Sequence, residues 1–240
     1  MEKLLEHPWV RNFVKKRQIR ILEICGGAGF GGIALSKILL EQNLDVDLMI
    51  TDLRKEVLKK AKKWGERVLK KKIFTKIIDA REIYKLRKKF DIVIMYGLST
   101  PHFNPWEIIK VFSGVSECIE DQGIFIIDEA DRRYSIFLTR GYQHLLAEGD
   151  ENKFVFSFHS GYDILKGTFS RTYFNPIFPE KGVTIELFFW GLAEIGALTF
   201  LFFEDVDFIE IGRARYFVLG YKPRRILPPQ NLKGPFLFKK

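Results

Sequence analysis

Five glycines (Gly26, Gly27, Gly29, Gly31 and Gly32) crowd into the middle of Ile19–Leu35, which reads I-R-I-L-E-I-C-G-G-A-G-F-G-G-I-A-L. Before them stands a short apolar run of Ile21, Leu22 and Ile24. After them Ile33, Ala34, Leu35, Ile38 and Leu39 take up helical spacing. Strand, glycine turn and helix in that order make the first half of a βαβ unit. Glycine there allows positive φ and lets the backbone come close to a ligand. The unpaired N–H groups of the helix start face whatever binds. A chain organised around this turn is expected to hold a nucleotide-type cofactor.

The rest of the chain agrees with one α/β domain. Its 240 residues can bury one substantial core. Cys25 and Cys118 are the two cysteines, which excludes a disulfide framework and a four-cysteine zinc site; no metal centre is expected. Met1–Gln18 is charged throughout and has no apolar signal core, so a reducing, cytoplasmic setting is expected. The net charge is +9, with lysines concentrated in Lys55–Lys72 and Lys85–Lys89. Such clusters read either as a nucleic-acid surface or as solvated helix faces. They fall on expected helices with few aromatics between them, which favours the second.

Taken in order, residues 1–18 form an N-terminal helix (Glu2–Lys16) interrupted at Pro8, which caps the core or borders the site. A first strand covers Ile19–Cys25 and a helix Gly31–Glu41. A second strand, Val46–Thr51, ends in Asp52, and Lys55–Lys70 is helical. Ile73–Ile78 is a strand ending in Asp79-Ala80-Arg81. Phe90–Met95 is a fourth, ending at Tyr96-Gly97. An irregular loop, Ser99–Pro105, precedes a helix over Trp106–Ile119, and Ile124–Asp128 is a fifth strand. The expected fold is a doubly wound, mostly parallel α/β sheet of seven strands with a closing antiparallel strand. The closing pair is Asp207–Ile211 and Arg215–Gly220, within a main domain of residues 19–222. Between the fifth strand and that pair the rhythm breaks. Tyr134–Glu148 reads as a helix, and Lys153–His159 and Gly167–Phe174 as two strands that end at Asn175-Pro176 and Pro179. These belong to a lid-like insertion at about 131–182, over the edge where ligands bind. Leu187–Phe203 has a single charge, Glu194, and reads as a buried helix to about Ala197 running into a strand rather than as a membrane span. A Pro-rich tail, residues 223–240, is expected to be wrapped or loose.

The turn also satisfies G-x-G-x-x-G, so a nicotinamide dinucleotide has to be weighed. Three features favour a cationic ligand instead. Glu23 stands in the first strand, where it would repel a pyrophosphate. Asp79 offers a further acceptor, and the chain closes with an antiparallel pair instead of a second mononucleotide half. Asp52, twenty residues after Gly32, suits ribose hydroxyls, although it can equally cap the next helix. I-L-E-I-C-G-G-A-G resembles motif I of the class I S-adenosylmethionine-dependent methyltransferases, h-h-(D/E)-h-G-x-G-x-G. The likeness continues through Asp52, Asp79-Ala80, F-D-I-V-I-M and the closing R-Y-F-V-L-G-Y-K; Cys25 departs from it by occupying the first motif glycine. The resemblance implies S-adenosyl-L-methionine as cofactor in a Rossmann-like methyltransferase fold. It assigns Glu23 to the methionine ammonium, Gly27 and Gly29 to backbone access, Asp52 to the ribose, and Asp79 with Ala80 to the adenine. Tyr96 and Gly97 would line the methyl region.

The acceptor is less legible. Methyl transfer asks mainly for alignment and exclusion of water, and for a base only when the nucleophile must lose a proton. Tyr96-Gly97-Leu98-Ser99 lacks the N/D-P-P-Y/F/W pattern of adenine and glutamine amino-methylating members, and no Pro-Cys pair marks a cytosine C5 enzyme. His102 and His159 are the candidate bases, and the aromatic run Phe154–Phe174 the candidate roof. A small-molecule O or N nucleophile is the leading expectation. An RNA substrate tracked by the lysine-rich surface, or a non-catalytic protein keeping the fold, are the alternatives.

Overall fold

Strands buried on both faces need helices on both faces, and this chain supplies them by alternation. The computed structural model describes residues 1–150, 153–175 and 178–235. In chain order, α1 (Glu2–Glu6) and α2 (Pro8–Arg11) lead into β1 (Gln18–Glu23), α3 (Phe30–Glu41) and β2 (Asp45–Asp52). These are followed by α4 (Lys55–Leu69), β3 (Phe74–Ile77), β4 (Phe90–Met95), α5 (Pro105–Cys118) and β5 (Ile119–Ala130). The five strands pair in parallel in the order β3-β2-β1-β4-β5. Period-two alternation sends Ile21, Ile92, Ile94 and Ile126 into one core and Leu22, Val93, Met95 and Ile127 into the other.

Past β5 the chain builds a second sheet of four antiparallel strands: β6 (Leu145–Asp150), β7 (Lys153–Asp163), β8 (Thr168–Asn175) and β9 (Phe178–Leu187). It returns through α6 (Leu192–Phe202), β10 (Phe203–Gly212) and β11 (Arg215–Pro223). β11 lies antiparallel between β5 and β10, completing the seven-stranded sheet.

Four expectations need correcting. The N-terminal helix is three pieces, α1, α2 and a 3-10 turn at Asn12–Lys15, because Pro8 starts a new helix that His7 caps. Leu4, Val10 and Phe13 of this segment cap the core, and none of it lines the cavity described below. Tyr134–Glu148 is not one helix. A π-helical turn (Arg133–Arg140) stops at Gly141, whose φ of 71° breaks it, and Leu145–Asp150 then pairs with β7. The insertion therefore has four strands, not two, and β9 carries it on to Leu187, through Pro179; Pro176, expected at its end, lies outside the described residues. Finally, α6 continues to Phe202 instead of giving way at Ala197. Ile195, Thr199 and Phe202 recur on one buried face, and this packing overrides the β-rich composition of Leu198–Phe202.

No helix among the described residues is long and apolar enough to cross a membrane. The described part of the tail is wrapped: Leu227 packs on the core and its carbonyl accepts the Ser113 hydroxyl at 2.5 Å. Residues 236–240 of the tail lie outside the described residues.

Candidate active site

Parallel pairing brings the carboxyl ends of β1, β2 and β4 to one edge of the sheet. Strand order reverses beside β1, which opens a crevice there. The crevice is a cavity of about 750 Å³.

Glu23 closes β1 at its floor, 1% exposed. Its Oε1 accepts the Gly31 amide at 3.0 Å, while Oε2 is buried without a hydrogen-bond partner. Burial pushes the carboxyl up to about 8, against the pull of the nearby Gly32 and Gly31 amides. The glycine turn exists to bring α3 this close. A Cβ on Gly31 would stand 2.3 Å from the Cβ of Tyr96, and Gly29, the helix cap, has φ 83°. Cys25 takes the place of a glycine with φ 52°, a left-handed conformation that costs an L-residue about 1–2 kcal/mol. Burial, with Asp52 and Asp79 close by, pushes its thiol up to about 12, so it lines the cavity as an inert thiol and not a nucleophile.

Asp52 and Asp79 both lie on the cavity wall, and both are held by an arginine two residues on. Asp52 accepts the amides of Gly27 at 2.8 Å and Arg54 at 3.0 Å, and the Arg54 guanidinium at 2.9 and 3.1 Å. Asp79 accepts the Arg81 amide at 2.9 Å and its guanidinium at 2.5–3.1 Å. Burial alone would raise both carboxyls; the arginine bonds outweigh it and hold both below the usual carboxylate range. Gly27 and Ala80 line the cavity beside them; Gly29, behind the turn, supports α3.

Tyr96 and Gly97 close the β4 side. Buried Asp128 of β5 accepts the Gly97 amide at 2.9 Å and is itself clamped by Arg215 at 2.8 and 2.6 Å, so the turn after β4 is fixed. His102, ending a 3-10 turn at Thr100–His102, lines the same cavity. Burial first, then the charges of Arg132 and Arg54, lower its pKa, leaving a neutral imidazole near pH 7. His159 does not come to this cavity. Its Nδ1 meets the Tyr142 hydroxyl at 2.8 Å inside the insertion, edge-on to His144.

Arg54 and Arg81 were not anticipated as part of the site. The signal was available: D-L-R at 52–54 and D-A-R at 79–81 repeat one spacing, in which an aspartate bonds the amide two residues on and the arginine there folds back.

These residues fit the cofactor that the sequence implies. Glu23 has an unsatisfied acceptor that would suit an ammonium, and Asp52 and Asp79 on the cavity wall would offer acceptors to ribose and adenine donors. Four hydrogen bonds already saturate Asp52, so ribose hydroxyls would displace the Arg54 guanidinium, whose side chain is 66% exposed and free to leave.

Solved structures share this architecture. The PH0226 protein from Pyrococcus horikoshii OT3 superposes with a TM-score of 0.61 at 22% identity, over 92% of this chain and 89% of that one. An S-adenosylmethionine-dependent methyltransferase from Clostridium acetobutylicum gives 0.62 at 16%, over 89% of each. CalS10, an amino pentose methyltransferase from Micromonospora echinaspora solved with S-adenosylmethionine, gives 0.56 at 11%, over 92% and 90%. The fold is that of the class I methyltransferases. Within this methyltransferase fold the insertion occupies the stretch between β5 and α6. No protein-family model matches the chain. A UPF0282 protein from Korarchaeum cryptofilum (strain OPF8) is 29% identical over 161 residues, 66% of this chain; the chain spans about half the length of that curated relative.

Proposed function

We propose that this protein is an S-adenosylmethionine-dependent methyltransferase acting on an O or N nucleophile of a small molecule. The observation that carries the reading is the buried, unpartnered Oε2 of Glu23, at the floor of a cavity walled by Asp52 and Asp79. Three acids around one crevice of a basic chain suit a ligand bearing an ammonium, ribose hydroxyls and an adenine amine. When bound, the cofactor supplies an electrophilic methyl group on its sulfonium.

The chain does the rest. Glu23 holds the ammonium, Asp52 the ribose and Asp79 the adenine amine, while Tyr96 and Gly97 bound the reacting region. His102, neutral and in the same cavity, takes the proton that an O or N nucleophile loses. The small-molecule preference draws on CalS10, whose substrate is an amino pentose. The lysines of α4 are exposed, and Lys59 pairs with Glu56 at 2.8 Å, which suits a solvated face.

Calorimetry with S-adenosylmethionine and with NADH tests the cofactor. Binding of the first and not the second is expected, and NADH binding alone refutes the proposal. Glu23→Ala and Asp52→Ala should each abolish that binding in a folded chain. Methyl incorporation into unmodified transcripts, with RNA retention falling steeply in salt, would replace the small-molecule acceptor by RNA.

A further inference from the structure

A second cavity, of about 590 Å³, lies between the end of β5 and the four-stranded insertion. Three arginines are among the residues that line it: Arg132 after β5, Arg140 of the π-helical turn and Arg171 of β8, with Tyr142, Tyr173 and Glu148 beside them. Arg171 is 4% exposed. Its Nη atoms donate to the Gln143 carbonyl at 2.9 Å and to the Ser157 hydroxyl and carbonyl at 2.9 and 3.2 Å. Its Nε is buried with no acceptor. A further Nη bond reaches the Tyr142 hydroxyl at 3.5 Å, and among the described residues no carboxylate pairs with Arg171, although a buried charge is costly unless it is paired. Arg132 repeats the pattern. Its Nε is buried without a hydrogen bond, and the nearest carboxylate oxygen, on Glu129, is 3.8 Å away. Glu129 is itself pushed up to about 7 by burial, so it neutralises Arg132 incompletely.

Two buried Nε atoms lack acceptors on residues that line this one cavity, and among the described residues its three arginines outnumber the acids near them, Glu148 and Glu129. We infer that this cavity receives an anionic group, carboxylate or phosphate, on the methyl acceptor, held by Arg171 and Arg132, with Arg140 at the mouth. The inference rests on the methyltransferase reading for the word acceptor, and on this cavity alone for the anion. Arg132 joins the two sites. Its guanidinium donates to the Leu98 carbonyl at 3.4 Å, between Gly97 and Ser99 of the cofactor cavity, and its charge reaches His102. An acceptor anchored by its acid at Arg171 and Arg132 would extend its nucleophile towards Tyr96, Gly97 and His102.

The test uses the full chain, with and without S-adenosylhomocysteine, at constant ionic strength, by thermal shift and calorimetry. Succinate and inorganic phosphate are the probes and choline chloride the control; the two anion arms distinguish a carboxylate from a phosphate site. At least one anion should bind and raise the melting temperature, and choline should not. Arg132→Gln and Arg171→Gln should each weaken the anion about tenfold or more, and Lys63→Gln, on the exposed face of α4, should leave it unchanged. Should Arg171→Gln fail to fold, the Arg132→Gln, Arg140→Gln double variant decides. No anion-specific binding, or binding that survives these substitutions, overturns the proposal. If S-adenosylhomocysteine binds and anions do not, the acceptor cavity alone falls. If anions bind and S-adenosylhomocysteine does not, the anion cavity stands and the methyltransferase reading falls.

Discussion

The cofactor crevice and the insertion are built by opposite means. In the crevice every acid ends a strand or begins the next turn, and its partner lies a few residues away: Asp52 with Arg54, Asp79 with Arg81, Glu23 with Gly31. In the insertion the charged groups come from distant stretches. Arg171 of β8 is held by Gln143 and Ser157, residues that antiparallel pairing brings within reach. The crevice is a local construction on a rigid parallel sheet and specifies a cofactor. The insertion is a non-local construction, and on the inference above it receives the acceptor. A chain can therefore declare its donor openly while leaving its acceptor hidden.

The sharpest way to break this comparison is at His102, which lines the cofactor cavity and feels the charge of Arg132 from the other. His102→Ala should lower kcat by about 10²–10⁴ in methyl transfer from labelled cofactor, leaving S-adenosylhomocysteine affinity unchanged. Its acid limb should lie below the ordinary histidine value of 6.5, with activity rising through it and flat above, because burial and two arginines hold the ring neutral. A full kcat in the variant would remove His102 from proton transfer.

Next comes Glu23→Gln, which should weaken S-adenosylmethionine about tenfold to a hundredfold by calorimetry. The same change should stabilise the unliganded protein. Glu23 keeps its proton up to about 8 when folded and loses it near 4.5 when unfolded. Its share of stability is therefore complete below about 4.5 and declines as pH rises towards 8. A melting profile of Glu23→Gln lacking this decline is expected; a profile parallel to wild type would contradict the burial argument. By the same linkage, cofactor affinity in wild type should tighten as pH rises from 6 to 8, as Glu23 ionises towards the ammonium.

Arg54→Gln should change affinity only a few-fold, in the direction of tighter binding, since the exposed guanidinium must leave Asp52 for the ribose. Weaker binding would mean that Arg54 itself holds the ligand. Cys25→Gly should matter least. It relieves a φ of 52° at the expense of backbone entropy, so stability should move by no more than about 1 kcal/mol in chemical denaturation.

The parallel half of the sheet was legible because β1, β2 and β4 are short apolar runs, each ended by Gly or Asp within three residues. With the third strand, these runs located Glu23, Asp52, Asp79, Ala80 and Tyr96 at one edge; His102 was reached only as a candidate base in the loop after β4. The insertion was misread where period and partner disagree. Leu145–Asp150 has no strand pattern of its own and becomes β6 through its pairing with Phe154–Phe158. Leu198–Phe202 looks like a strand and is kept helical by the buried face it shares with Ile195. His159 carried the right chemistry and the wrong neighbourhood, since nothing in its surroundings along the chain tells which cavity its strand will roof.

Local rules were enough to determine the glycine turn, the alternation of strand and helix, and the acids that stand at strand ends, because each depends on residues adjacent in the chain. Only the tertiary structure decided that Glu23 has an oxygen with no partner, that Arg54 and Arg81 already occupy their aspartates, and that Arg132 and Arg171 line one cavity, each with a buried Nε that finds no acceptor among the described residues. Those depend on burial and on pairing across as many as 39 residues of chain between Arg132 and Arg171, and charge in a protein acquires its meaning from what it is buried against.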